Sequence, residues 1–432
     1  MNHTLHYILR FLLGEDLPEE FVETIGYTDD PSRYARYRVV IVPSGFFDPR
    51  AYGKRASLPE LPLREVAGIP LLFGSPKEEW VGDTWVVHAD IIASTYFLVT
   101  RYEEMVNRNI RDAHGRFPGK ESLPYRAGFL HRPIVDEYRR LLRRWLRQAR
   151  LRVPDVEKEI RKVYLTHDVD EPFLFRSWKG TIRSLLRGRG IGRSLKGRWG
   201  AAEQDPYYTF PWIFRQNSIL QDTLGKEICE SVLFFKAGGN AKEDRPCYPL
   251  GGADMQKLMK DARSHGIGIG LHSSYQAGKQ PAYILKEKKE LETHAGIAVC
   301  RNRHHYLACR EPEDLDLLEA AGLTDDFTMG YADAAGFRLG TCRPVRWINP
   351  VTRRLSSLTL HPLAVMDCTL SEEKYMGLDD REAYACCAGL IGEVRKAGGE
   401  LVLLWHNSSL RESSGNYHRA LYLHLLNELA KK

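Results

Sequence analysis

Apolar and polar positions change rhythm partway along this chain. Over residues 1–155, short β-type runs mix with helical stretches, as in "YRVVIVPSGFF" at 37–47 and "IPLLFGS" at 69–75. "ADIIASTYFLVTRYEEMV", 89–106, predicts a helix with Ile91, Ile92, Tyr96, Phe97 and Val99 on its inner side. Helical spacing also joins Ile134, Tyr138, Leu141, Trp145 and Ala149. The arginines of "RRLLRRWLRQARLR", 139–152, then fall on the other faces, as on a solvated helix. From Val163 onward strand-like runs recur: "VYLTHDVD", "ESVLFFKAGG", "GIGIGLHSS", "TLHPLAVMD" and "ELVLLWHNSS". Helical patterns such as 253–264 and 382–397 fill the gaps. Strand and helix in alternation predict an α/β chain with a parallel sheet or barrel. At 432 residues two domains are expected, 1–158 and 159–432.

The strand "VYLTHDVD" ends on two aspartates one residue apart. Residues i and i+2 of a strand share a face, so Asp168 and Asp170 lie side by side, about 6–7 Å apart, with His167 and Val169 facing away. Two carboxylates so close are costly unless a cation or a shared proton offsets their repulsion. An ordinary acidic turn has the same pattern. Further polar residues follow the apolar part of other strands: His272, and His406 with Asn407. In a parallel barrel the strand C-termini converge on one face, where catalytic groups collect. Carboxylate and imidazole can hold a divalent metal such as zinc and leave a position open for water. A second carboxylate can take the water's proton, and a separate histidine can protonate a departing nitrogen. Asp168, Asp170, His272 and His406 together supply what amide hydrolysis requires.

Composition narrows the setting. No apolar run is long enough for a membrane span. "MNHTLHYILRFLLGEDLPEE" lacks a basic start and a small-residue cleavage site, so it is expected to be the first folded element. The eight cysteines all follow residue 228, with no CxxC pair, as in a reducing cytoplasm. Net charge is +6, concentrated in part in "RSWKGTIRSLLRGRGIGRSLKGR", 176–198, with eight Lys or Arg and no acid. That stretch suits an anionic membrane surface, a phosphate-bearing lipid or an anionic glycan. No aromatic interleaving or nucleic-acid motif accompanies it, so nucleic acid is not an expected partner.

The order "THDVD", "GLHSS", "LLWHN" resembles the polysaccharide deacetylases of the NodB-homology type (carbohydrate esterase family 4). "SVLFFKAG" resembles their second strand, and "GYADAAGFRLGTCRP", 330–344, a middle segment bearing an arginine. The resemblance covers about 160–410. "HADIIASTYFLVTRYEE" and "HRPIVDEYRRLL" are similar to a domain that precedes a bacterial subfamily linked with surface-polysaccharide clusters. The resemblance implies a distorted (β/α) barrel after a smaller α/β N-terminal domain. It implies a metal-dependent hydrolase, with zinc the first candidate, that removes N-acetyl groups from a polysaccharide or its lipid-linked sugar precursor. The setting it implies is the cytoplasm, or the inner membrane face. Asp168 becomes the general base, Asp170 and His272 metal ligands, His406 the general acid, and Arg338 the group that orients or neutralises Asp168. Tyr275 could contribute a backbone amide or its ring to the acetyl pocket.

One position departs from the pattern. The family's second motif has two histidines four apart, but the residue four after His272 is Gln276, and an amide is a poor zinc ligand. "CRNRHHYL", 300–307, is the alternative source of a third ligand. Strand alternation puts Arg303 and His305 on one face and His304 on the other. The subfamily carries an arginine and a histidine at this spacing, which selects His305, with His304 second. The competing expectation is a catalytically weakened relative that binds glycan or scaffolds an assembly complex. His361, Asp333 and Asp367 could line the cleft. His3, His6, His114, His131, His418 and His424 are expected to be structural or exposed.

Overall fold

The computed structural model describes residues 3–176, 200–413 and 415–431. The basic stretch 176–198 lies outside them apart from Arg176. The first part carries a four-stranded sheet in the order β1-β2-β6-β5, formed by β1 (Ile25–Tyr27), β2 (Val39–Ile41), β5 (Gly74–Val81) and β6 (Thr84–Ala89). A hairpin of β3 (Arg64–Val66) and β4 (Ile69–Leu71) sits beside it. The runs 37–47 and 69–75 are therefore shorter as strands than their composition suggests. The segment 89–106 is not one helix. Ala89 ends β6, Asp90 caps the helix Ile91–Val99 by accepting from Ala93 N, and Arg101 sits in the left-handed region (φ +58°) before a second helix, Tyr102–Val106. All nine residues of Ile91–Val99 are buried, so this helix has no solvated side.

The helix Ile134–Gln148 corrects another expectation. Its apolar stripe is buried as the spacing requires, but two of its arginines are buried as well. Arg139 and Arg143 both donate to Asp16 Oδ1, at 2.7 and 2.5 Å, and Arg143 also reaches Leu13 O. A carboxylate and a free helix-end carbonyl give these guanidiniums partners that spacing alone cannot reveal.

The second part carries nine strands: β7 (Lys162–Val169), β8 (Cys229–Phe235), β9 (Gly268–Ser273), β10 (Arg301–His304), β11 (Asp325–Asp326), β12 (Val345–Ile348), β13 (Leu355–Leu360), β14 (Leu363–Met366) and β15 (Glu400–Leu404). Their order is β12-β13-β11-β10-β9-β8-β7-β15-β14, parallel throughout except for β12 on β13. The sheet is curled. His361, just after β13, touches both Asp325 at the start of β11 (3.1 Å) and Glu400 at the start of β15 (2.8 Å), although four strands lie between those two in the sheet.

Alternation along each strand splits the core in two. Tyr164, Val232, Phe234, Phe327, Val402 and Leu404 form one cluster on the inner face. Val163, Leu165, Val169, Leu233, Phe235 and Leu271 join the larger cluster under the helices. The inner positions of β9 are Gly268 and Gly270, where a Cβ would come within 2.5 Å of Arg301 Nη1 and of the Phe234 ring respectively. At Gly270 the missing side chain makes room for the Phe234 ring, over which Arg303 of β10 lies. The outer helices follow local signals. Asp379 accepts from Glu382 N in a capping box, Ala383, Cys387, Leu390, Ile391 and Val394 are buried, and left-handed Gly398 ends the helix Asp380–Ala397. No helix among the described residues is long and apolar enough to cross a membrane.

Candidate metal centre

The C-terminal ends of β7, β9 and β10 bring Asp170, His272 and His305 together, with one ligand atom from each inside a 4.8 Å radius of the others. His272 Nε2 lies 3.2 Å from Asp170 Oδ1, and His305 Nε2 lies 3.4 Å from Asp170 Oδ2. Donors held at about 2.0–2.1 Å in a tetrahedral zinc site are separated by about 3.3 Å. Both imidazoles are fixed from behind. His272 Nδ1 bonds Arg303 O at 2.9 Å, and His305 Nδ1 bonds Asp244 Oδ1 at 3.1 Å. Such partners set the tautomer and aim Nε2 at the shared point. Asp170 Oδ1 and His272 Nε2 are buried yet have no hydrogen-bond partner, and a cation accepting both would satisfy them. The residues present fit a divalent metal.

Burial alone would raise the Asp170 carboxyl. The charge of His305, with contacts from His272, His305 and His406, outweighs it and holds Asp170 well below the usual carboxylate range. Burial pulls His305 down, but the Asp170 charge and its bonds to Asp170 and Asp244 win and raise it. Asp244 itself is lowered, burial being overcome by His305 and by the backbone N–H groups of Tyr275 and Gln276.

Asp168 stands on the same inner face as Asp170 and is buried. Its Oδ1 accepts from Arg303 Nη1 at 2.9 Å, and its Oδ2 faces His272 Nε2 at 3.5 Å. Arg303 is fully buried, donates through Nε to Phe327 O, and lies 4.6 Å over the Phe234 ring. The expectation for Arg338 is thereby corrected. Arg338 donates to Glu104 at 2.9 and 2.8 Å and to Gly330 O, away from Asp168. Glu104, buried and shared with Arg101, is the stronger attraction.

Opposite the aspartates, His406 Nε2 lies 3.4 Å from Asp170 Oδ2. Its Nδ1 meets Asp367 Oδ1 at 2.8 Å, and its backbone N–H bonds the other oxygen of Asp367. Burial would lower His406, but the Asp367 carboxylate beside it raises it well above the ordinary imidazole range. His304 points the other way, to Asn302 and Thr328, and burial takes its pKa down to about 3. Gln276 is also turned away, its Oε1 accepting from Asn240 N at 2.8 Å. Tyr275 gives its N–H to Asp244 and packs its ring on His114 and Tyr306. Asp333 accepts from Gly119 N and Lys120 N.

Above these groups is a cavity of about 300 Å3, walled by Arg116, Tyr306, Lys374 and Tyr375 among others. Arg116 comes from the first part of the chain. It bonds Asp112, Tyr306 O and Tyr375 OH. Neither Arg116 nor Asp244 carries a signal in the sequence, since both stand in irregular segments without periodicity.

Residues 2–150 match the model of a family of unknown function, DUF7033. No curated protein matches the chain. Among solved structures it is similar to one described as a "putative polysaccharide deacetylase from Mycobacterium smegmatis". That likeness has 15% identity and a TM-score of 0.41, over 65% of this chain and 87% of the other. So loose an overlap fixes neither fold nor activity here.

Proposed function

We propose that the chain is a metal-dependent hydrolase that removes N-acetyl groups from a polysaccharide or its lipid-linked sugar precursor. Residues 159–432 would form a barrel of the NodB type, and 1–158 an accessory domain. One observation carries the reading: Asp170, His272 and His305 converge at parallel strand ends, each imidazole braced from behind, between a fixed carboxylate and a fixed histidine. The motif order of the sequence supports it. A divalent metal bound there, zinc being the first candidate, would polarise the amide carbonyl and acidify nearby water. Asp168 takes the water's proton. Arg303 fixes its Oδ1 and leaves Oδ2 on the cavity side. His406 presents Nε2 to the cavity because Asp367 holds Nδ1, and it delivers a proton to the departing nitrogen. On this reading His305 takes the place that Gln276 leaves unfilled, and its position beside Asp170 and His272 supports an enzyme over a silent glycan binder.

The test is metal content of the purified protein, measured with acetate release from a panel of N-acetylated glycans. Stoichiometric metal with acetate release is expected. Metal-loaded protein that releases no acetate from any member would refute the reading.

A further inference from the structure

The inner face of β8 carries Val232 and Phe234, and alternation places Lys236, just past the strand, on the same side. The register pairs Val169 with Phe235 and Phe235 with Leu271. One residue further, Asp170, Lys236 and His272 stand side by side on three adjacent strand ends, at about 4.8 Å per strand. A lysine thus sits between two of the groups suited to a cation. It is 5% exposed, and its Nζ donates to the carbonyl oxygens of Asp244 (3.1 Å) and Pro246 (3.3 Å). Among the described residues it makes no ion pair. Its Nζ also lies 5.9 Å from the centroid of the Tyr248 ring. A buried ammonium is costly unless an anion faces it, and two neutral carbonyls and a ring face do not cancel its charge.

Lys236 lines the cavity over the metal ligands and also an adjoining one of about 350 Å3 that reaches Asn240 and Gln276. The loop that holds its Nζ presents Arg245, exposed at the wall of the first cavity and likewise without an ion pair among the described residues. The other cations there are engaged: Arg116 with Asp112 (2.6 Å), Lys374 with Glu372 (2.7 Å). Glu243 lines the same cavity but is within ion-pair distance of neither Lys236 nor Arg245.

We propose that Lys236 and Arg245 receive an anionic group, a carboxylate or a phosphate, carried by the substrate beside its N-acetyl function. The substrate is then an acidic N-acetylated sugar. The acetyl part of this statement rests on the deacetylase reading; the anionic part rests on the two cations.

Calorimetry on the full-length, metal-loaded protein tests it with three probes: N-acetylglucosamine, its 1-phosphate, and its C6-oxidised uronic acid. Acetate release is followed in parallel. One charge-assisted contact favours an anionic ligand by about ten- to a hundredfold. At least one acidic probe should bind tighter than the neutral sugar by that factor, and the two acidic arms identify the anion. Lys236→Met should abolish the preference. Arg245→Ser, on an exposed side chain that the fold does not need, should reduce it. Equal affinity for all three probes, binding of none, or a preference surviving both substitutions overturns the proposal. An acidic preference with no acetate release from these probes or from the glycan panel keeps the anion subsite and refutes the deacetylase. Acetate release with no preference does the reverse.

Discussion

Replacing His361 by glutamine probes how the curled sheet is held at the edge opposite the metal centre. The imidazole sits between Asp325 and Glu400 and stacks on Phe327, with centroids 4.4 Å apart and planes 6° from parallel. Burial would lower its pKa. Hydrogen bonds with the two carboxylates, reinforced by their charges, overcome that and push it up to about 9 from an ordinary 6.5. At ~1.36 kcal/mol per pH unit, that rise corresponds to roughly 3 kcal/mol of stability. The sign follows from the direction. A histidine whose pKa is raised on folding contributes fully below its unfolded value, near 6.5, and loses the contribution as pH climbs through 9. Denaturant unfolding of wild type and His361→Gln from pH 6 to pH 10 measures it. Lysine, tyrosine and cysteine titrations common to both proteins cancel in the difference. The variant should be least stable relative to wild type at pH 6, and the gap should shrink by roughly 3 kcal/mol by pH 10. In NMR spectra the His361 Cε1 proton should cover only about a tenth of its titration shift between pH 6 and 8 and reach its midpoint near pH 9. A midpoint near 6.5, or a gap independent of pH, would refute the argument.

Four further outcomes are expected. Asp170→Ala should lose the metal, whereas Asp168→Asn should keep it and lose about 10²–10⁴-fold in turnover, read by metal analysis beside acetate release. His305→Ala should weaken metal binding by at least about 10–100-fold, the loss typical of removing even a supporting group, whereas Gln276→Ala should leave titrated affinity unchanged. His406→Ala should retain metal and lose a comparable factor in turnover, and near-normal rates would remove it from the acid role. Arg338→Met takes one of two partners from Glu104, whose carboxyl the guanidiniums of Arg101 and Arg338 hold at about 2 against the opposing effect of burial. With Arg101 still paired to Glu104, it should cost about 1.5–3 kcal/mol of stability and leave metal affinity untouched; a selective loss of metal would restore the arginine to the active site.

Periodicity carried much of the fold. The strand cores at 163–169, 229–235 and 400–404, and the helix Ala253–Ser264, stand where apolar spacing puts them. Alternation also separates Arg303 and His305 from His304, a local property of an extended chain. What it could not supply was distance across the curled sheet. Arg303 meets Asp168 only because the sheet curls, with β9 and β8 between their strands. Arg338 was placed by motif order, yet its partner is fixed by Glu104, a carboxylate in the short buried helix after Arg101. Asp244 was unreadable because an aspartate in an irregular loop looks like any turn residue. Arg139 and Arg143 follow the same logic, since the spacing was right but their partner Asp16 belongs to a distant loop.

The wall that Arg116 contributes has a consequence for inheritance. Its guanidinium, anchored on Asp112, Tyr306 O and Tyr375 OH, makes a residue of the first 150 part of the chamber assembled by the last 270. Glu104 is likewise the counter-charge for Arg338. A gene lacking the first part would encode Arg338 without its carboxylate and a chamber open on the side of Arg116. The two halves cannot be exchanged freely between relatives as modules. A change at 104 must be matched at 338, and one at 116 at 375, so these pairs should vary together.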